Sequence, residues 1–251
     1  MQREWRTEWI KVRYRKVGLL LMAFLMLIFL WVSWALSRNT KEEMADGYRM
    51  IFLQLPMIHT ILAPTMLAML ASRLCDAEVK GDTLKLLCTL EHKGRLFDMK
   101  LLMGACYLAL FVFAEVGILF IQGAIYHFQR PLEPVQILFF VLQIYLVSFA
   151  IFLLQVVLSF FFENQILPLA IGLLGSFVGL FSWFFANGIG KLVLIWAYYS
   201  QLCFVAFDWE KETRVITYYN KPFDVFSFAL LIVLLVAGYV IGKSLFLRKE
   251  I

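Results

Sequence analysis

Two ionisable side chains sit where the surrounding sequence is almost wholly apolar. His59 lies in the run MIFLQLPMIHTILAPTMLAML, and Glu115 lies in LLMGACYLALFVFAEVGILFIQ. An imidazole in such a run can ligate a metal, relay a proton, or hydrogen-bond to a neighbouring helix, and the last is the most economical use. A carboxylate at the centre of a membrane helix costs about 3 kcal/mol on insertion scales. Glu115 is therefore expected to face a bundle interior or a wet cavity, either in substrate passage or as a protonated acid bonded to a neighbouring helix. A third interval, Arg73 to Lys100 (RLCDAEVKGDTLKLLCTLEHKGRLFDMK), concentrates charge between apolar blocks. Enzymatic signatures are missing. There is no G-x-x-x-x-G-K-[ST], no H-E-x-x-H, no G-x-S-x-G and no paired intramembrane aspartates. Gly188, Gly190 and Lys191 lack the length and hydroxyl of a phosphate loop. His59, Glu115 and His127 form no recognisable nucleophile, base or metal set, which weighs against an intramembrane protease or acyltransferase. The four cysteines, Cys75, Cys88, Cys106 and Cys203, have no paired spacing for a disulfide framework or a zinc site.

The charged interval carries its own helical pattern. At ~100° per residue from Val79, the side chains of Thr83, Leu86, Leu87 and Leu90 fall on one face, with Lys85 and Asp82 turned away. Asp82 can cap the first turn, and Gly94 can end the helix after His92 and Lys93. A capped, one-sided helix between two apolar spans either docks against a protein partner or lies on lipid headgroups.

The elements that must hold these residues follow from composition. The chain has 251 residues, 62% of them hydrophobic and 16% charged, with a mean hydropathy of +0.80. Its apolar residues come in continuous blocks long enough for a ~30 Å hydrocarbon core, so the fold class is an all-α integral membrane protein rather than a barrel. Residues 1–16, with Trp5, Trp9, Val12 and Lys16 at helical spacing, read as an interfacial amphipathic helix. Six spans are expected at 17–36, 50–70, 101–126, 135–161, 166–185 and 225–247, with a coupling region at 76–94. The first is read as an uncleaved anchor, since no small-x-small site follows it. Pro56 and Pro64 interrupt the ladder of the second span. The turn FFENQ makes the fourth and fifth spans antiparallel neighbours. Residues 192–207 are too short to cross and read as an external re-entrant or interfacial helix. The Gly175/Gly179 and Gly238/Gly242 pairs permit close helix approach.

Charge asymmetry orients the chain. Fifteen Lys and Arg fall on the side of the termini and the 73–100 interval, and eight fall on the other, accounting for all 23. By the positive-inside rule both termini and the charged interval are cytosolic. Two crossings in the fifth block would instead leave the C-terminal cluster outside.

The residues Glu78, Gly81, Thr83, Leu86 and Leu87, followed by Arg95 and Lys100, resemble the run that precedes the third span of ABC-2-type permease subunits. The likeness departs at Asp82, inserted between Gly81 and Thr83, and at Glu91-His92-Lys93-Gly94, where the family often has Pro. Within that family the chain is most similar to lantibiotic-immunity permease subunits, through Glu8, Lys11 and Arg13 and through Thr83, Lys85, Leu86 and Leu87. The resemblance implies a bacterial cytoplasmic-membrane exporter subunit that binds no cofactor itself. Two copies of a separate ATPase would hold ATP and Mg. A second related permease, or a second copy of this chain, would complete the assembly, with membrane lipid around it and no nucleic acid. The cargo would be a cationic, pore-forming antimicrobial peptide expelled for self-protection. The ATPase would dock on Glu78, Asp82, Thr83, Lys85, Leu86, Leu87, Leu90 and Arg95. The external segment 187–224 holds Trp196, Tyr198, Tyr199, Trp209, Tyr218 and Tyr219 with the acids Asp208, Glu210 and Glu212. These either meet the peptide at headgroup depth or form an aromatic belt that fixes helix depth. Glu115 joins the expected substrate path. A membrane scaffold without transport is the rival reading.

Overall fold

A computed structural model describes residues 9, 10, 12, 15–40, 43–79, 92–184, 189–210, 212 and 216–249. Five of its helices are long and apolar enough to cross a membrane. These are α1 (Val17–Leu36), α2 (Gly47–Val79), α3 (Lys93–Ile125), α4 (Pro134–Phe161) and, last in the chain, α8 (Val225–Arg248). The sixth expected span is the apolar α5 (Ile166–Ser182), 17 residues and ~25 Å long at 1.5 Å per residue. Between α5 and α8 come two short helices, α6 (Ile189–Val193) and α7 (Tyr198–Gln201), and a hairpin of β1 (Val205–Trp209) and β2 (Ile216–Asn220).

Two expectations need correction here. The stretch 192–207 is not one partial helix. It breaks at Leu194, whose backbone is extended (φ −83°, ψ 106°), makes a 3-10 turn at Ile195–Ala197, and then becomes α7 and β1. The reason lies in the partner strand: VAFDW pairs antiparallel with ITYYN, Phe207 opposite Tyr218 and Trp209 opposite Ile216. Aromatic and β-branched pairs of this kind favour a sheet. The fold is a helical membrane bundle, as expected, with one hairpin between α5 and α8. Gly94, expected to end a helix, instead lies in the first turn of α3, with His92 as the extended N-cap residue (φ −62°, ψ 125°). A Cβ at Gly94 would meet the Lys243 side chain of α8, so the site is a helix crossing.

α2 is the central helix, lining its length with buried Ile51, Phe52, Leu55, Ile58, Leu67, Leu70 and Leu74. α1 and α8 lie at the edge and leave Leu19, Met22, Met26, Val233, Val240 and Ile241 exposed, a surface suited to lipid rather than to water. Lipid tails supply no hydrophobic drive between helices, so close packing and hydrogen bonds must hold the bundle. Small residues make the packing possible. A Cβ at Gly172 would lie 2.9 Å from the Pro64 carbonyl oxygen, and one at Gly179 would strike Trp196 O at 3.0 Å and Thr60 Cγ2 at 2.5 Å. The Gly175/Gly179 pair thus seats Trp196 and Thr60, and Gly242 seats Val157.

α2 and α3 have 33 residues each, ~50 Å, and so outrun a ~30 Å hydrocarbon core. Their surplus length lies at the end where residues 79 and 93 face the interval between them. At that end Arg73 of α2 donates to the carbonyls of Arg15 (2.7 Å) and Lys16 (3.2 Å), and Arg15 returns a bond to Arg73 O (3.1 Å). Lys16 sits at φ 52°, in the left-handed region, and turns the chain from the N-terminal helical residues into α1.

α8 begins on an ionic cap. Asp224 accepts from Ser227 N–H (3.0 Å) and Oγ (2.6 Å), and from Gln201 Nε2 (3.3 Å). Burial alone would raise its pKa, but these bonds prevail and hold the carboxyl below the usual carboxylate range. A depressed folded-state pKa adds stability above the unfolded value, and that stability is lost as pH falls through the folded one. Asp224→Ala is expected to cost ~1 kcal/mol at neutral pH, with the gap closing below about pH 4. Thermal unfolding of both proteins in detergent across that range checks it; a gap independent of pH would mean the cap works without its charge.

Candidate functional site

The bundle folds its few polar side chains toward one another. His59 of α2 and Glu115 of α3 are 1% and 0% exposed, and Nε2 of one lies 2.9 Å from Oε1 of the other. The second ring nitrogen, Nδ1, lies 2.8 Å from the Leu55 carbonyl one turn back. A carbonyl only accepts, so Nδ1 carries a hydrogen, and Nε2 faces Glu115 with either a lone pair or a second proton.

Tyr199 closes over this pair. It is fully buried, its ring centre 5.8 Å from that of His59. Its hydroxyl shares a hydrogen bond with Ser148 Oγ (2.8 Å) and its carbonyl accepts from Gln143 Nε2 (2.8 Å), both on α4. The local sequence explains why α7 reaches so deep. Pro56 lacks an N–H, which frees the Phe52 carbonyl four residues earlier, and the Cys203 thiol lies 3.8 Å from that oxygen and 3.4 Å from the Val205 carbonyl, sharing its one hydrogen between them. Phe52 also packs on Phe140 and Phe204. From Gly47 to His59 and from Ile125 to Glu115 is ~15–18 Å of helix, so the cluster sits well below the hairpin end. On the other flank, Trp183 Nε1 donates to Thr60 Oγ1 (3.0 Å), and Ser182 and Ser200 share a bond of 2.8 Å.

The expected substrate path is therefore split. Glu115 and Tyr199 come together inside the bundle, and Trp196 packs under α5 against Gly175 and Gly179. Tyr199 is fully buried and Trp196 is packed against the glycines of α5. The chain bends inward at Leu194, and the glycines of α5 make room. Asp208, Trp209, Glu210 and Glu212 remain on the exposed hairpin. Arg49 donates to Asp46 and to the Tyr218 carbonyl (both 3.3 Å), tying the hairpin to the start of α2. Sequence reading passed over Gln143 and Ser148; amides inside an apolar helix were the available signal, repeated at Gln136 and Gln155.

Of the expected docking residues, Asp82, Thr83, Lys85, Leu86, Leu87 and Leu90 lie outside the described residues. Glu78 is in the last turn of α2, Arg95 is exposed in the first turn of α3, and Lys100 is buried. A contact missed from sequence joins this end to the last helix. Asp98 accepts from Lys243 Nζ (2.6 and 2.9 Å) and from Tyr239 (2.8 Å). Lys249 Nζ donates to the Phe160 carbonyl at 2.7 Å. Among the described residues no cluster of His, Cys, Asp and Glu is grouped to hold a metal.

Because His59 and Glu115 face each other at 2.9 Å inside the bundle, removing one alone should hurt more than removing both. His59→Leu is expected to lower stability by ~1–3 kcal/mol, while the His59→Leu/Glu115→Leu double variant regains part of that loss. Unfolding midpoints in detergent measure the cycle, and strictly additive losses would deny the coupling.

Residues 5–179 match the family model described as ABC-2 family transporter protein. No curated protein and no solved structure matches the chain.

Proposed function

The chain belongs to the ABC-2 transporter family, and from that premise we propose that it is the membrane permease subunit of an ATP-driven exporter whose cargo is a lantibiotic-like cationic antimicrobial peptide. Family membership implies a separate ABC ATPase as partner, since no phosphate-binding loop occurs in this sequence. One observation carries the docking half of the reading. α2 and α3, each longer than a ~30 Å hydrocarbon core requires, end and begin at either side of the charged interval that contains Leu86 and Leu87. Two stiff helices leading into and out of a short polar segment offer an ATPase a lever. The ATPase, in two copies, binds ATP and Mg, and a second permease or a second copy of this chain completes the exporter.

The excess of Lys and Arg at that end, with both termini, supports a cytosolic assignment. The hairpin then faces outward, where a peptide acting on the outer leaflet has to be met; export from the cytosol would come too late. Trp209 and Tyr219 are exposed on it, beside Asp208, Glu210 and Glu212. Aromatic faces with neighbouring acids suit an amphipathic cation, with an attraction that weakens in salt. The finer identity of the cargo rests on the likeness at Glu8, Lys11 and Arg13 and at Thr83, Lys85, Leu86 and Leu87. A scaffold role is favoured by none of these features.

Leu86→Asp or Leu87→Asp puts a charge where docking would strip its water, at a cost of a few kcal/mol. The variants should insert normally but lose the ATPase on co-purification; retention by both would leave the segment lying on headgroups. Replacing Asp208, Glu210 and Glu212 with Asn or Gln should lower peptide resistance at matched membrane abundance and unchanged basal ATP turnover. Equal resistance in such cells would remove the hairpin from the cargo's route.

A further inference from the structure

A proton count in the buried cluster points to a site that the transport reading does not use. His59 Nδ1 gives its hydrogen to Leu55 O, so the contact between Nε2 and Glu115 Oε1 has room for a single proton. With none, two acceptors face each other and the pair carries a net negative charge. With two, an imidazolium and a carboxylic acid meet donor to donor with a net positive charge. One shared proton leaves the pair neutral, whichever atom holds it, and neutrality is what a low-dielectric interior favours.

The groups around the pair do nothing to offset a departure from neutrality. α4 presents the uncharged Gln143 and Ser148, α7 presents the phenol of Tyr199, and α3 adds the ring edge of Phe111. Tyr199 is a further titratable group beside the pair, its ring centre 5.8 Å from that of His59. Glu115 Oε2 and Gln143 Oε1 are buried acceptors without a hydrogen-bond partner among the described residues, and Gln155 of α4 buries an amide oxygen and an amide donor in the same state. A purely structural contact would be expected to fill its acceptors more fully. The cover is also of a removable kind. Tyr199 rides on a four-residue helix held by uncharged hydrogen bonds, with a thiol donor at Cys203.

We propose that the His59–Glu115 pair is a proton-binding site inside the permease, sealed by Tyr199 and opened to water when the α7 segment withdraws. The exchange is plain acid–base chemistry. In the open state the shared proton passes to a water molecule, leaving a carboxylate solvated at Oε2 and a neutral imidazole. Reclosure requires a hydronium to return the proton, because the emptied pair would otherwise be buried with its charge. Movement of the segment is thereby linked to occupancy by a proton, and acid on the exposed side favours the closed form. The inference rests on the bundle geometry and not on the identity of the cargo or the ATPase.

Infrared spectroscopy of the full-length permease in lipid nanodiscs tests it without ATP or peptide. The bands of the pair are assigned as the difference between wild type and Glu115→Gln. On transfer to D2O, these bands should shift slowly in wild type and roughly tenfold or more faster in Tyr199→Ala, reflecting more frequent opening. The bands of Tyr199→Ala should also titrate with the bath. Tyr199→Phe keeps the ring over the pair and should exchange at a rate near wild type. If Tyr199→Ala does not fold, Ser148→Ala with Gln143→Leu removes both bonds from α4 to Tyr199, at its hydroxyl and at its backbone carbonyl, and takes its place. Equal exchange in wild type and the uncovered variant overturns the proposal, whether both are fast or both are silent, since the first denies the seal and the second denies access.

Discussion

Hydrocarbon offers no hydrogen bonds, and that constraint decides where each polar atom of this bundle goes. His59, Glu115, Gln143, Ser148 and Tyr199 would each be costly facing lipid, and all five are turned inward. Their contacts link α2, α3, α4 and α7, so the polar cluster also fixes how those helices sit against one another. The same rule explains Cys203. Pro56 removes one backbone donor from α2, and the orphaned carbonyl is met by a thiol from the segment that folds in beside it. Gln122 repeats the logic near the hairpin end, donating to Ser33 Oγ at 2.7 Å and so joining α3 to α1.

Packing answers the second need, because solvent does not push these helices together. Gly172, Gly175 and Gly179 line the buried face of α5 and let α2 and Trp196 approach closely, while its outward face carries Leu173, Leu174, Phe177 and Phe181. A Cβ at Gly104 of α3 would likewise fall on the ring of Phe152 in α4. Shape complementarity of this kind takes the place that hydrophobic burial holds in water. The seal over the cluster depends on it, since α7 can reach Ser148 only if Trp196, just before it, has a groove to occupy.

Block lengths in the sequence carried most of the helical fold. Continuous apolar runs with charged ends announced α1, α2, α3, α4 and α8, and the Asn164-centred turn before α5 followed from its brevity. Two kinds of information were out of reach. Helix ends outside hydrocarbon leave no apolar mark, so the spans at 50–70 and 101–126 fell short of helices reaching Val79 and starting at Lys93. Nor does periodicity reveal that VAFDW has a strand partner eleven residues on, because that pairing depends on ITYYN. Glu115 was legible as an acid that must face the bundle interior or a wet cavity. Its histidine partner could not be deduced, since nothing in the chain sets the rotation of α2 against α3. Tyr199 was read as an interfacial aromatic because its neighbours are aromatic too; only the inward bend at Leu194 separates it from Trp209.

The cluster's position along α2 gives it a mechanical meaning. From His59 to Val79 is ~30 Å of continuous helix, while the same helix runs only ~18 Å the other way, to Gly47. Its long arm ends at the interval where an ATPase would dock, and its short arm ends near Arg49, bonded to the hairpin. α3 mirrors it, with Asp98 tied to α8 on the long side and Glu115 at the crossing. The His59–Glu115 contact therefore lies between the long ends of α2 and α3 and the bond that ties Arg49 to the hairpin. A contact of 2.9 Å tolerates little separation before it is lost. One shared proton leaves the crossing without net charge, so the two helices stay registered at rest with no uncompensated charge buried between them.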